Sequence, residues 1–403
     1  MKEPSKTKML TLRPYQQEAV RKMLRRKNQE GNELVVIATG GGKSLVIAEL
    51  AHQLGKPVLI LQPSKELLEQ NVNKMLSYVS KNEIGIFSAS MNSHTINTFT
   101  FATIGSIYKK PELFSHFDTV ILDECDLLSS KDQDSMYMKF FSQVGHPKVY
   151  GLTATPFRMD TFVRKSQYGY IESVTATRLI NRTRNRFWHR VIVNVSYSDL
   201  LDEGYLVPLE YIDQTILQHH QIPKNSGSDF DLDSYVEMID GVSGSTTKKI
   251  AQLAENFNSI LIFCSTINQA TQFANYFTDD ADVVTSETKK SKRNQIITDF
   301  RSGKLKMVFN VNVLTVGFDH PSLDCIVMLR PTRSIRLYTQ MMGRGTRLAD
   351  GKDKCTIVDF AGNVATYGGM ETLQLEKIDK KWELVSEKGS WHMQELSSFR
   401  IRR

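Results

Sequence analysis

One stretch limits the fold of this chain more than any other: LVVIA, then TGGGKS, then LVIAELAHQL, residues 34–54. A β-branched apolar run passes through three glycines into an amphipathic helical pattern, so a buried strand must hand over to a helix within a few residues. Glycine lets successive backbone N–H groups converge on one anion, and the helix N-terminus adds positive potential at the same point. Thr39, Gly40, Gly41, Gly42, Lys43 and Ser44 therefore read as a phosphate loop. Lys43 is placed to reach β- and γ-phosphates and the Ser44 hydroxyl to ligate Mg²⁺, which makes ATP and Mg²⁺ the expected cofactors. Ile37 stands where the longer GxxxxGK[ST] pattern has its first glycine, so the loop is the shortened TGxGK[ST] form.

Such a loop needs an acid at the end of a second strand. The run TVIL at 119–122 leads into Asp123-Glu124-Cys125-Asp126, where Asp123 can hold Mg²⁺ and Glu124 can polarise an attacking water. The alternation of short strands with amphipathic stretches continues to the end, the pattern of parallel sheets with crossover helices. Strands are expected at 34–38, 58–62, 119–122 and 149–152, and again at 260–263, 307–310, 325–328 and 355–358. Ile267, Ala270, Phe273, Ala274 and Phe277 mark one of the intervening helices. At 403 residues the chain is long enough for two cores. The expected division is a first domain at 1–195, a connecting segment at 196–248, a second domain at 249–365 and a tail at 366–403. The linker proper is placed at 222–248, where Gly, Ser, Asn and Asp accumulate.

No apolar run approaches the roughly 18–20 residues that span a bilayer, and MKEPSKTKML does not read as a signal peptide. The four cysteines are scattered without a CxxC pair, so no zinc site is expected and a cytoplasmic location is. A net charge of +7 suits a polyanionic partner.

DECD resembles the DExD/H box of superfamily 2 helicases, and the other motifs of that family follow in order across residues 12–347. LRPYQQEAV resembles the Q motif, which implies that Gln16, in preference to Gln17, contacts the adenine edge. QPSKELLEQ and FATIGSI resemble motifs Ia and Ib, implying backbone contacts from Ser64, Lys65 and Thr103 to nucleic acid. GLTATPFR resembles motif III, with Thr153 and Thr155, and LIFCST resembles motif IV, with Ser265. NVNVLTVGFDHP resembles motif V, with Thr315 toward nucleic acid and Gly317 and Asp319 toward nucleotide. QMMGRGTR resembles motif VI, with Gln340, Arg344 and Arg347; Arg347 is the expected arginine finger. The resemblance implies two tandem RecA-like (P-loop) domains, each a mostly parallel sheet flanked by helices, with a short C-terminal extension. It implies an ATP-dependent motor on nucleic acid, DNA rather than RNA, working as a monomer without a membrane and with protein partners reached through the tail. Within the superfamily, GYLVP, GRGTRLADGK and VDFAGN are similar to the RadD-like branch of bacterial DNA-repair helicases. The box differs from that branch in ending on Asp126 instead of histidine, and no cysteine-rich region follows VDFAGN.

Between residues 158 and 190, eight basic residues face two acidic ones, a net +6 with His189 uncounted, and Tyr168, Tyr170, Phe187 and Trp188 are interleaved. Arginine with aromatics suits phosphates and stacked bases, so Arg182, Arg184 and Arg186 are further nucleic-acid candidates; a solvated basic face is the other reading. Rival functions remain at this point: a duplex translocase or RNA helicase that does not separate DNA strands, an ATP-gated adaptor without useful turnover, and a P-loop enzyme acting on small molecules.

Overall fold

The computed structural model describes residues 11–129, 132–165, 171–182, 186–225, 229–314, 318–378, 381–390 and 397–400. The chain divides into two compact units, Met1–Phe157 with Leu179–Ser196, and Arg158–Arg178 with Tyr197–Arg403.

The first unit is built on eight strands: β1 (Asn32–Ile37), β2 (Val58–Gln62), β3 (Ile84–Ser88), β4 (Ser93–His94), β5 (Phe99–Thr103), β6 (Thr119–Asp123) and β7 (Lys148–Thr153), completed after an excursion of the chain by Trp188–Val195. The excursion forms β8 (Phe157–Lys165) and β9 (Ile171–Leu179), which makes Trp188–Val195 strand β10. The sheet order is β10-β1-β7-β6-β2-β5-β3-β4. All neighbours run parallel except β4, a two-residue edge strand antiparallel to β3. Its central strands read as near-continuous apolar runs because both faces are buried. β2, β6 and β7 match their expected ranges or exceed them by one residue at one or both ends, and β1 starts two residues earlier than expected and stops one short, at Ile37.

Three helices position the site. The first, α1 (Pro14–Arg25), starts on a proline at its first turn, where the missing N–H is no loss. The helix α2 (Lys43–Leu54) follows the glycine turn, and α3 (Lys65–Met75) is capped by Ser64, whose hydroxyl accepts from Leu67 N at 3.3 Å. At the opposite end of the sheet the fully buried Glu33 accepts from Arg26 Nε at 2.9 Å and Lys148 Nζ at 3.1 Å, tying α1 and β7 to β1.

Packing is tight where the Trp188 side chain of β10 lies against Gly151 of β7. A Cβ on Gly151 would lie 2.4 Å from Trp188 Cη2 and 2.7 Å from Cys125 Sγ, and both side chains are buried. Gly151→Ala is expected to lower stability by about 1–3 kcal/mol, as overpacking of a filled core does. The check is thermal unfolding: an unchanged midpoint would mean that Trp188 has room to shift.

The second unit holds a six-stranded, all-parallel sheet. Its strands are β11 (Leu209–Asp213), β12 (Ile260–Phe263), β13 (Ala281–Val284), β14 (Met307–Asn310), β15 (Cys325–Met328) and β16 (Cys355–Asp359), in the order β11-β16-β15-β12-β14-β13. Four of these lie where the sequence placed them, and the helix Ile267–Ala274 buries Ala270, Phe273 and Ala274 as its spacing predicts. All four cysteines are buried core residues.

The division of the chain differs from the expected one in two respects. Residues 196–248 carry β11, the helix Leu232–Ile239 and the first turns of the helix Ser243–Asn256, so most of the expected linker is folded into the second unit. Arg158–Arg178, read as part of the first domain, groups with the second, where β8 and β9 form a sheet with β20 (Ser397–Arg400). Pairing of β20 with β9 draws the segment there, a contact between positions more than 200 residues apart in sequence. The tail also forms an antiparallel sheet of β17 (Gln374–Ile378), β18 (Lys381–Ser386) and β19 (Gly389–Ser390), with Leu375 and Leu384 buried.

Candidate functional site

The phosphate loop closes the C-terminal end of β1. Gly40 and Gly42 have φ of 84° and 75°, values that a side chain would strain, and Gly42 caps α2. Ala38 N donates to Val195 O, and Gly41 N donates to Ala38 O, each at 3.0 Å. From α1, Tyr15 Oη and Gln16 Nε2 both donate to Gly41 O, at 2.7 and 3.0 Å. Gln16 is buried, and its Oε1 accepts from Arg13 N at 2.9 Å, so both ends of its amide brace the loop and the turn before the helix. Tyr15 was not singled out from the sequence; its place inside LRPYQ was the available signal.

Lys43 and Ser44 open α2, and Lys43 Nζ lies 3.5 Å from Glu124 Oε1. Two strands away from β1, β6 ends on Asp123, which is buried. Its Oδ1 accepts from Glu124 N and its Oδ2 from Asn71 Nδ2 on α3, both at 3.0 Å. Glu124 has φ 48°, the left-handed turn that swings its side chain toward Lys43. Burial, and next the charge of Glu124, push the Asp123 carboxyl above its ordinary range; Lys43 and the two hydrogen bonds oppose this. A divalent cation would supply the compensation that such an acid pair calls for. Asp123 and the Ser44 hydroxyl are hard oxygen donors of the kind Mg²⁺ takes beside phosphate oxygens, so these residues fit the ion.

Beside Asp123, the box reaches the next strand. Thr153 Oγ1 at the end of β7 donates to Asp126 Oδ1 at 2.7 Å and accepts from Thr155 N at 2.9 Å, with both threonines buried. Asp126 is therefore a structural link between the acid turn and the Thr-Ala-Thr segment. On the other side, Ser64 and Lys65 lie at the start of α3, where Lys65 pairs with Glu69 at 3.3 Å. Thr103 ends β5, its hydroxyl 2.9 Å from Ser106 Oγ and 3.2 Å from Ser88 Oγ.

In the second unit, Arg344 and Arg347 converge on one segment. Arg344 Nη1 donates to Phe318 O at 2.7 Å; Arg347 Nη1 donates to the same carbonyl at 3.2 Å and forms an ion pair with Asp319. Burial lowers the Arg347 pKa from its ordinary value, while the Asp319 charge acts against that loss. Gln340 is buried in the helix Ile335–Met342 that leads to these arginines. Ser265 is buried after β12, its hydroxyl donating to Leu329 O at 3.0 Å. Of the other candidates, Thr315, Gly317 and Arg184 lie outside the described residues, as does the side chain of Arg182. Arg186 is exposed, with its Nε donating to Asn181 O at 3.4 Å.

Residues 9–158 match the family "Type III restriction enzyme, res subunit", and residues 245–349 match "Helicase conserved C-terminal domain", together more than half of the chain. The chain belongs to the superfamily 2 helicases. It is similar to IRC3 of Saccharomyces cerevisiae, named as an inferred ATP-dependent helicase, with 26% identity over 87% of this chain and 51% of that protein. It is also similar to the DNA 3'-5' translocase XPB2 of Sulfurisphaera tokodaii, with 24% identity over 85% of this chain and 80% of that one. Among solved structures, the ATP-dependent Type ISP restriction-modification enzyme LlaBIII bound to DNA superposes with a TM-score of 0.63 at 17% identity, over 88% of this chain and 28% of that one. That likeness shows the fold, two RecA-like helicase domains. The chain spans about half the length of the yeast relative.

Proposed function

We propose that this helicase-family chain is a nucleic-acid-dependent ATPase that couples hydrolysis to movement on DNA and to unwinding or remodelling it. The observation that carries the reading is the acid turn: Lys43 lies 3.5 Å from Glu124, and Glu124 adjoins a buried, hydrogen-bonded Asp123. A clamp that only holds nucleotide has no need of a water-polarising acid; a hydrolase does. Lys43 and the loop amides hold the phosphates, Asp123 and Ser44 hold Mg²⁺, and Glu124 takes the proton from the attacking water. Bound Mg²⁺ neutralises charge on the β- and γ-phosphates. Arg344 and Arg347 are the residues expected to bring positive charge to the γ-phosphate, and bound nucleic acid is expected to favour the state in which they do.

DNA is the expected polymer. The RadD-like motifs and the relatives named for work on DNA support it, and the former also support a role in repair or recombination. The likeness to a DNA translocase favours a second reading, movement on duplex without strand separation. The test is ATP turnover with no polymer, single-stranded DNA, duplex DNA, forked DNA or RNA, followed by strand-separation assays on the stimulating DNA. Turnover should rise with DNA, and a nonhydrolysable ATP analogue should tighten DNA binding about 5- to 150-fold, the usual range for coupled sites. Stimulation by duplex without strand separation selects the translocase, and stimulation by RNA alone overturns the choice of DNA. Absence of turnover with every polymer overturns the ATPase.

A further inference from the structure

Behind the acid turn lies a polar cluster that the nucleotide chemistry above does not use. The helix α3 packs on the sheet through Leu67, Leu68, Asn71 and Met75, an apolar stripe with one carboxamide in it. Asn71 is 1% exposed; its Nδ2 donates to Asp123 Oδ2, while its Oδ1 has no hydrogen-bond partner among the described residues. Gln62, at the end of β2, is fully buried, and neither its Oε1 nor its Nε2 has a partner there. The register places Gln62 opposite Thr103 on one side. On the other side it follows the Leu61–Leu122 pair, so Gln62 and Asp123 leave their strands side by side. Two carboxamides thus stand at a sheet–helix contact that apolar side chains would fill at lower cost, since unmatched buried polar atoms are penalised. Packing does not account for them. For Asn71, the contact to the carboxylate expected to hold Mg²⁺ does.

We propose that Asn71 is a positioning residue for the metal-binding carboxylate. Asp123 has two oxygens, and each is held: Oδ1 by the backbone of Glu124, Oδ2 by Asn71. The backbone bond fixes one edge of the carboxylate, and among the described residues the Asn71 bond is the one that restrains the other. Groups that orient a ligating carboxylate in this way typically change metal affinity about 10- to 100-fold when removed. Because Asn71 lies on α3, whose first turn carries Ser64 and Lys65, displacement of that helix is transmitted to Asp123 directly.

This inference rests on the ATPase reading, and the test separates the two. Binding of fluorescent ADP to the full chain is measured against Mg²⁺ concentration, with no polymer and no hydrolysis. For Asn71→Leu, which keeps the volume and removes the donor, the Mg²⁺ needed for half of the metal-dependent gain in affinity should rise about tenfold or more. ADP affinity in EDTA should stay within about twofold of wild type, because the loop contacts are intact; a purely structural role would move both together. Asn71→Ser, which keeps a donor, should recover part of the shift. If the leucine variant melts early, Asn71→Ala carries the measurement. A folded variant with an unshifted Mg²⁺ dependence overturns the positioning role and leaves the ATPase standing. Failure of both variants to fold assigns Asn71 to the core and also overturns it. A wild type whose ADP affinity ignores Mg²⁺ overturns the positioning role, and the ATPase reading stands or falls by turnover alone.

Discussion

Arg347→Ala is expected to cut ATP turnover about 10³-fold or more, the scale known for arginine fingers in phosphoryl transfer, while ATP affinity changes by no more than a few-fold. The asymmetry follows from where the contacts lie. Ground-state phosphate contacts are expected from the loop Thr39–Ser44 in the first unit, whereas Arg347 belongs to the second and is held there by Phe318 O and Asp319. An interaction gained only at the transition state lowers turnover when lost and spares binding. Arg347→Lys should not restore activity, since an ammonium lacks the planar fork that can keep Phe318 O and a phosphate oxygen at once. Single-turnover hydrolysis with equilibrium ATP binding provides the check. Near-normal turnover would move the role to Arg344, which shares the Phe318 carbonyl. If both single variants are active, catalysis does not require the second unit.

The second large effect divides binding from hydrolysis at the acid turn. Lys43→Ala should weaken ATP binding, because it removes the cation that the loop directs at the phosphates. Glu124→Gln should still bind ATP but turn it over about 10²- to 10⁴-fold more slowly, the range for loss of a general base. Glutamine keeps the shape of Glu124 and leaves the two bonds that hold Asp123 in place, giving up only the charge that faces Lys43. ATP binding by fluorescence and steady-state turnover, measured on both variants, decide it. Equal loss of nucleotide binding in the two would show that Glu124 serves the loop through Lys43 and not the water.

Much of this arrangement was readable in sequence because it is local. The steep passage from LVVIA through three glycines to a helix admits few backbone paths, and Gly40 and Gly42 take the positive φ that only glycine takes cheaply. Apolar runs such as 58–62, 260–263 and 307–310 have one stable place, a strand covered on both faces, and they are strands with the same ends. The acid at the end of TVIL follows from the same rule, since a strand that finishes on a charge finishes at the rim of the sheet.

The tertiary structure decided what joins these pieces. Asn71 and Asp123 are 52 residues apart, and nothing in KELLEQNVNKM says which strand its buried face will cover; a lone asparagine in an apolar stripe was the only hint. Gln16 carried the family's adenine-edge expectation, yet its amide is engaged with Gly41 O and Arg13 N, bonds that depend on how α1 packs beside α2. The alliance of Arg347 with Asp319 joins two motifs 28 residues apart, and β8 and β9 group with the second unit through a strand near the C-terminus. Backbone conformation is governed by neighbours along the chain, so the loop and the strands could be read from it. Side-chain hydrogen bonds between distant residues depend on sheet register and helix placement, which the whole core must settle before any one bond can form.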